Sequence, residues 1–146
     1  MSFPLSLSIG FLISIINRQL KPLFDERLCS EGIGYGMWFF LRVLWEKDDV
    51  SQRELADRAG MSAPTALEAI RKLEQLKLIS LKSNKEDKRR LRIRLTAKGK
   101  KLEKKLVAQV DELNALALNG FSPEEVKHLT EFLTRVRANT APHHIK

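Results

Sequence analysis

Cysteine is nearly absent: Cys29 stands alone in 146 residues. A single thiol excludes an intramolecular disulfide framework and any metal cluster built from cysteine alone. It fits a reducing compartment, so the cytoplasm is the expected location. The three histidines, His128, His143 and His144, are one on a helix and two in a tail, which is not a ligand set. Long apolar runs are missing as well. The uncharged stretch from Phe3 to Asn17 is too short to span a bilayer before Arg18 and Lys21, and it lacks the basic start and small-residue cleavage site of a targeting peptide. No phosphate loop, dinucleotide fingerprint or metal-hydrolase motif occurs, so the chain reads as a non-enzyme without a cofactor or a membrane partner. With 43% hydrophobic and 30% charged residues it is neither a disordered chain nor an integral membrane protein, and its length suits one domain with its own core.

What the chain has in excess is positive charge, in one place. Lys and Arg number 26 against 18 Asp and Glu, a net +8. Thirteen of the basic residues and only three acids lie between Lys77 and Lys105, a local +10, while the other 117 residues sum to −2. Such a concentration is the electrostatic footprint expected for a polyanion, although a charge run also serves as a merely solvated face.

The apolar periodicity draws a series of helices. Leu5, Ile9, Leu12, Ile16, Leu20, Leu23 and Leu28 stripe a first helix from Leu5 to Arg27, and Phe11, Ile13 and Ile15 widen its apolar face towards a second surface, such as another subunit. After Gly32, Gly34 and Gly36, a buried helix from Met37 to Trp45 ends at the turn Lys47-Asp48-Asp49. Ser51-Gln52-Arg53-Glu54 reads as a capping box that opens a short helix stopped by Gly60. Ser62 caps the next helix within three residues, Pro64 fits its first turn, and Leu67, Ile70, Leu73 and Leu76 follow at helical spacing. So tight a junction forces a large crossing angle, the pattern of a helix-turn-helix. Leu78 to Leu81 and Leu91 to Leu95 then alternate as strands, the second with its arginines outward, around a polar basic tip from Ser83 to Arg90. Thr96 starts a helix that ends at Asn119-Gly120, and Ser122-Pro123-Glu124-Glu125 starts the last one. The fold class is therefore mainly α, an α+β winged helix whose helix-turn-helix core is flanked by terminal helices.

From about Ser51 to Leu102 the chain resembles the multiple antibiotic resistance regulator (MarR) family of bacterial winged-helix transcription factors. Asp87-Lys88-Arg89-Arg90-Leu91-Arg92-Ile93-Arg94-Leu95-Thr96 followed by Gly99 is similar to the family's wing signature. Gly60-Met61-Ser62-Ala63-Pro64-Thr65 through Leu73-Glu74 is similar to its helix-turn-helix. The resemblance implies one domain, residues 1–146, in which 1–47 and 100–146 supply dimerisation helices and 48–99 form the DNA-binding region. It implies a homodimer on a pseudo-palindromic operator of double-stranded DNA. Arg89 would take the place of the wing arginine that enters the minor groove, whose potential attracts a guanidinium, and Asp87 that of the acid that orients it. Lys85, Lys88 and Arg90 would contact phosphates. Ser51, Gln52, Ser62, Ala63, Pro64, Thr65, Glu68, Arg71 and Lys72 complete the expected DNA-binding set, with Ser62 either capping or reading a base. Glu68 departs from relatives that are basic there, and Lys72 stands where arginine is frequent.

Five of the ten aromatic residues fall between Tyr35 and Trp45. Core packing accounts for most such clusters. The family's effector sites nevertheless make Phe11, Trp38, Phe39 and Trp45 candidates to line a pocket for a small aromatic or phenolic acid, with Arg42 to neutralise its carboxylate. The expected function is a ligand-responsive transcriptional repressor. The alternatives are an effector-independent DNA-binding activator or architectural protein, an RNA-binding or protein-interaction winged helix, and a redox-sensing regulator using Cys29.

Overall fold

The computed structural model describes residues 4–83 and 91–141, and the chain divides into two units, residues 1–110 and 111–146. In the first unit, helix α1 (Ile9–Leu28) begins one turn later than its apolar stripe predicts. Pro4 leads into a 3-10 turn over Leu5–Leu7, and Ser8, in extended backbone, accepts from the Phe11 amide at 3.4 Å to cap the helix. Only the C-terminal end of the stripe is covered: Phe24 and Leu28 are buried, whereas Leu5, Ile9, Leu12 and Ile16 are 44–65% exposed.

Helix α2 (Tyr35–Glu46) follows Gly32, whose φ of +71° suits glycine, and it buries Trp38, Phe40, Leu41 and Leu44 at spacings of one to three. It packs against α1 and against the helix-turn-helix, made of α3 (Gln52–Ala59) and α4 (Ala63–Gln75). The α3 capping box is only half made. Ser51 Oγ accepts from the Glu54 amide at 3.1 Å, but the Glu54 carboxylate turns to Lys47 at 2.7 Å and Arg58 at 3.0 Å, because two cations outcompete one neutral N–H. Gly60, at φ +66°, ends α3 as expected. On α4 the buried set is Ala66, Ala69, Ile70 and Leu73, an i, i+3, i+4, i+7 face. Leu67, expected among the core residues, falls off that face and is 37% exposed.

A three-stranded antiparallel sheet joins the helix-turn-helix to the hairpin. Its order is β1 (Val50–Ser51), β3 (Leu91–Leu95), β2 (Ile79–Ser83). The expected pair β2 and β3 aligns Ile79 with Leu95 and Ser83 with Leu91; β1, a strand of two residues, was not legible in the sequence and sets Val50 against Ile93. Ile93 and Leu95 point into the core while Arg92 and Arg94 face outward, the alternation the sequence predicts.

Helix α5 (Ala97–Ala117) is capped by Thr96, whose hydroxyl accepts from the Gly99 amide at 3.1 Å and donates to the Lys77 carbonyl at 2.7 Å. Gly99 has the least room of the glycines: a Cβ there would stand 2.2 Å from the Leu78 carbonyl oxygen. In the second unit, Gly120 at φ +87° precedes α6 (Pro123–Thr140). Here both halves of the capping box form, Ser122 Oγ accepting from the Glu125 amide and Glu125 from the Ser122 amide. No residue of α6 is buried, although Val126, Leu129, Leu133 and Val136 repeat at helical spacing.

Candidate nucleic-acid interface

Helix α4 offers one face to solvent. At about 100° per residue, Pro64, Glu68 and Arg71 lie opposite the buried set, with Ala63 and Leu67 on one flank and Thr65 and Lys72 on the other. Ser62, Ala63, Pro64, Thr65, Glu68, Arg71 and Lys72 are all exposed, so seven of the expected DNA-binding residues share one accessible stretch. Ser51 and Gln52, at the start of α3, are half-buried. Several of these groups are already engaged. Ser62 Oγ accepts from the Thr65 amide at 3.3 Å and lies 2.8 Å from Thr65 Oγ1, so the serine caps the helix and the two hydroxyls hold each other. Glu68 pairs with Lys72 at 2.8 Å, one turn on, and that ammonium holds the carboxyl below its usual range. A basic neighbour thus neutralises the acid that departs from the family pattern.

Two cavities flank this helix. One, of about 180 Å³, lies between Gly34, Gly36, Met37 and Phe40 of the α2 region and Thr65, Glu68, Ala69 and Lys72. It is smaller than the roughly 300 Å³ at which pockets begin to enclose a drug-sized ligand. The other is lined by Gln52, Arg53, Ala56, Asp57, Met61 and Ala63. Neither is lined by an expected effector residue. Trp38 is 4% exposed and packs edge-on against Trp45 with ring centroids 5.7 Å apart, and Arg42 lies 6.0 Å from the Trp38 ring while pairing with Glu46 at 3.4 Å. Trp45 donates its indole N–H to the Gly99 carbonyl at 3.0 Å, a packing role that ties α2 to the start of α5. Phe39 packs on Phe24 and Tyr35, and Phe11 is 36% exposed on α1. Cys29 is exposed and its thiol donates to the Glu26 carbonyl. Among the described residues no group of three or more His, Cys, Asp or Glu side chains is placed to hold a metal, and no helix is long and apolar enough to cross a membrane.

The expected wing residues Lys85, Asp87, Lys88, Arg89 and Arg90 lie outside the described residues, as do His143 and His144. The base of the hairpin is described, and it holds what sequence reasoning missed. Asp49, with the left-handed φ of +59°, places one carboxylate oxygen 2.9 Å from Arg92 Nε and the other 2.6 Å from Arg94 Nη2, while its carbonyl accepts from Arg92. The two guanidinium hydrogen bonds, that of Arg94 foremost, hold the Asp49 carboxyl down to about 2. Beside it, Asp48 accepts from the Leu95 amide at 2.8 Å and faces Lys100 at 3.7 Å. Lys105 pairs with Glu31. Of the nine described basic residues between Lys77 and Lys105, four are therefore matched by acids from the rest of the chain, so the cationic segment is less free than its composition suggests. The signal in the sequence was an acidic pair opposite two arginines spaced by two, but the partners stand more than 40 residues apart and only strand pairing joins them.

The model of the MarR family matches residues 35–91, from the start of α2 to the first residue of β3. An uncharacterized HTH-type transcriptional regulator, YybA, of Bacillus subtilis (strain 168) is 28% identical over 127 residues, which cover 87% of this chain and 85% of that protein. Among solved structures, a protein of Listeria monocytogenes assigned to the MarR family and complexed with 26mer DNA is 29% identical. It superposes with a TM-score of 0.86, covering 93% of this chain and 91% of that one. A MarR transcriptional regulator from Methanosarcina mazei Go1 is 28% identical, with a TM-score of 0.84 and coverages of 92% and 96%.

Proposed function

The chain carries a MarR-family winged helix, and from that premise we propose that it is a homodimeric transcriptional repressor that binds a pseudo-palindromic DNA operator. The observation that carries the proposal is the exposed face of α4 with its N-cap, seven accessible residues from Ser62 to Lys72 on the second helix of a helix-turn-helix, together with the lysines and arginines that the sequence places between β2 and β3. That arrangement suits a helix laid in a major groove with the wing reaching the flanking backbone. Arg89 is the wing residue assigned to the minor groove, Asp87 its orienting partner, and Lys85, Lys88 and Arg90 the phosphate contacts. Arg71 and the apolar Ala63, Pro64 and Leu67 are exposed groups of α4 available to meet base edges. The Listeria monocytogenes relative solved on DNA supports the same use of this fold.

Arg89→Ala is expected to weaken binding to a duplex selected from random DNA at least tenfold, with the circular dichroism and the sizing profile unchanged. Unaltered affinity in a folded variant would remove Arg89 from its role. The proposal extends to release by a small aromatic or phenolic acid. Arg42, partly exposed 6.0 Å from the centre of the Trp38 ring and paired with Glu46 at 3.4 Å, is the cation that supports it. A panel of such acids should shift the affinity for the selected duplex. If none does, the protein is an effector-independent DNA-binding regulator and the α4 assignment stands.

A further inference from the structure

The base of the hairpin carries the inference. Strand β1 contributes only two residue pairs to the sheet, Val50 with Ile93 and Ser51 with Arg92. It nevertheless ties the wing strand β3 to the start of α3, since Ser51 is also the N-cap of that helix, while β2 follows α4 after three residues. Two pairs fix an angle poorly. They fall on the second and third residues of β3, next to the outer pair Ser83–Leu91, so whatever grips those residues sets the direction in which the hairpin continues.

We infer that Asp49 is a positioning residue for DNA recognition: by gripping Arg92 and Arg94 on the outer face of β3, it fixes the direction in which the wing leaves the helix-turn-helix. Three features support this. The carboxylate spans two guanidiniums at successive outward positions of one strand, 2.9 and 2.6 Å away, which is a two-point hold along the strand. The Asp49 carbonyl takes a further bond from Arg92, so backbone and side chain of one residue grip the same arginine. Finally, the residue adopts a left-handed φ of +59°, which a non-glycine residue tolerates at a cost of order 1 kcal/mol and which is retained where surrounding contacts over-determine it. The adjoining Asp48, bonded to the Leu95 amide and facing Lys100, extends the hold to the end of β3 and the start of α5. The carboxylate stays ionised far below neutral pH, so the clamp is permanent rather than a pH switch. It also has a second effect: two arginines at the root of the wing are matched internally and add little to non-specific attraction for phosphates.

The inference rests on the DNA-binding reading above. The test compares wild type with Asp49→Asn, which keeps the shape and tolerates left-handed backbone, and Asp49→Gly, which keeps the backbone and deletes the grip. The probes are the duplex that the wild type selects from a random pool and a random-sequence duplex, each titrated over a range of salt. Released arginines should bind phosphates without direction. Affinity for the random duplex should hold or rise, with a steeper salt dependence, while affinity for the selected duplex falls, so that the ratio of the two drops at least tenfold. A ratio that falls less than tenfold in both variants overturns the inference, even if stability changes. If the glycine variant does not fold, the asparagine variant decides alone. A wild type that selects no duplex at all would count against the DNA-binding reading itself, which keeps the two failures apart.

Discussion

A methyl group at residue 99 would stand 2.2 Å from the Leu78 carbonyl oxygen and 3.1 Å from a Leu95 methyl. The oxygen cannot retreat easily, because it also accepts the Thr96 amide at 3.0 Å and anchors the start of β2 to the start of α5. Gly99→Ala is therefore expected to cost about 2–3 kcal/mol, the order seen when a packed site is overfilled, read from urea denaturation. A loss below 1 kcal/mol would mean that α5 moves away freely. The family signature marked Gly99 from sequence; the reason it must be glycine, a helix pressed on a backbone carbonyl 21 residues earlier, became visible only with the contact. Asp49 is the reverse case. In the sequence it was simply one acid in the turn after α2, and the grip on Arg92 and Arg94 was not readable there, since no local pattern couples residues 43 and 45 positions apart.

At the level of elements, caps and stops were the most legible features because their chemistry is local. Ser51, Ser62, Thr96 and Ser122 each cap a helix as their sequence contexts predict, and Gly60 and Gly120 adopt the left-handed stops. The boundary at the other end of α4 has no glycine. Lys77 takes the left-handed φ of +58° there, while the Leu78 amide donates to the Leu73 carbonyl at 3.0 Å to close the helix. A lysine in that region is strained, so Lys77→Gly should raise stability by about 0.5–1 kcal/mol, the relief being partly offset by the freer unfolded chain. Thermal melting would register it as an increased Tm, and a fall would show that the Lys77 side chain matters more than its backbone. The half-formed capping box of α3 marks the limit of local reading: Glu54 had the right spacing to cap, and Lys47 and Arg58 took it away.

Taken whole, the chain leaves apolar surface uncovered in each of its units. The N-terminal half of α1 exposes Ile9, Leu12, Ile13 and Ile16, and in the second unit Phe121, Phe132 and Leu133 are 48–57% exposed. Exposed apolar residues on two helices are the kind of surface a second copy buries. If the proposed homodimer uses this surface, Leu12→Lys is expected to give a monomer by sedimentation, with helical content nearly kept and DNA binding weakened by more than tenfold, because each winged helix would then hold its half-site alone. A dimer that persists would move the interface off this part of α1. The sequence by itself determined the order of helices, the helix-turn-helix, the alternation of the wing strand and the place of the excess charge. All of these are written in periods of two or 3.6 and in residues within four positions of each other. Tertiary structure alone decided which of the charges remain free, which face of α4 is open at Leu67, and that a two-residue strand ties the wing to the helix-turn-helix. The physical reason is distance along the chain: an ion pair or a strand pairing between residues more than 40 apart leaves no periodic trace, and only the folded backbone brings Asp49 to Arg92 and Arg94.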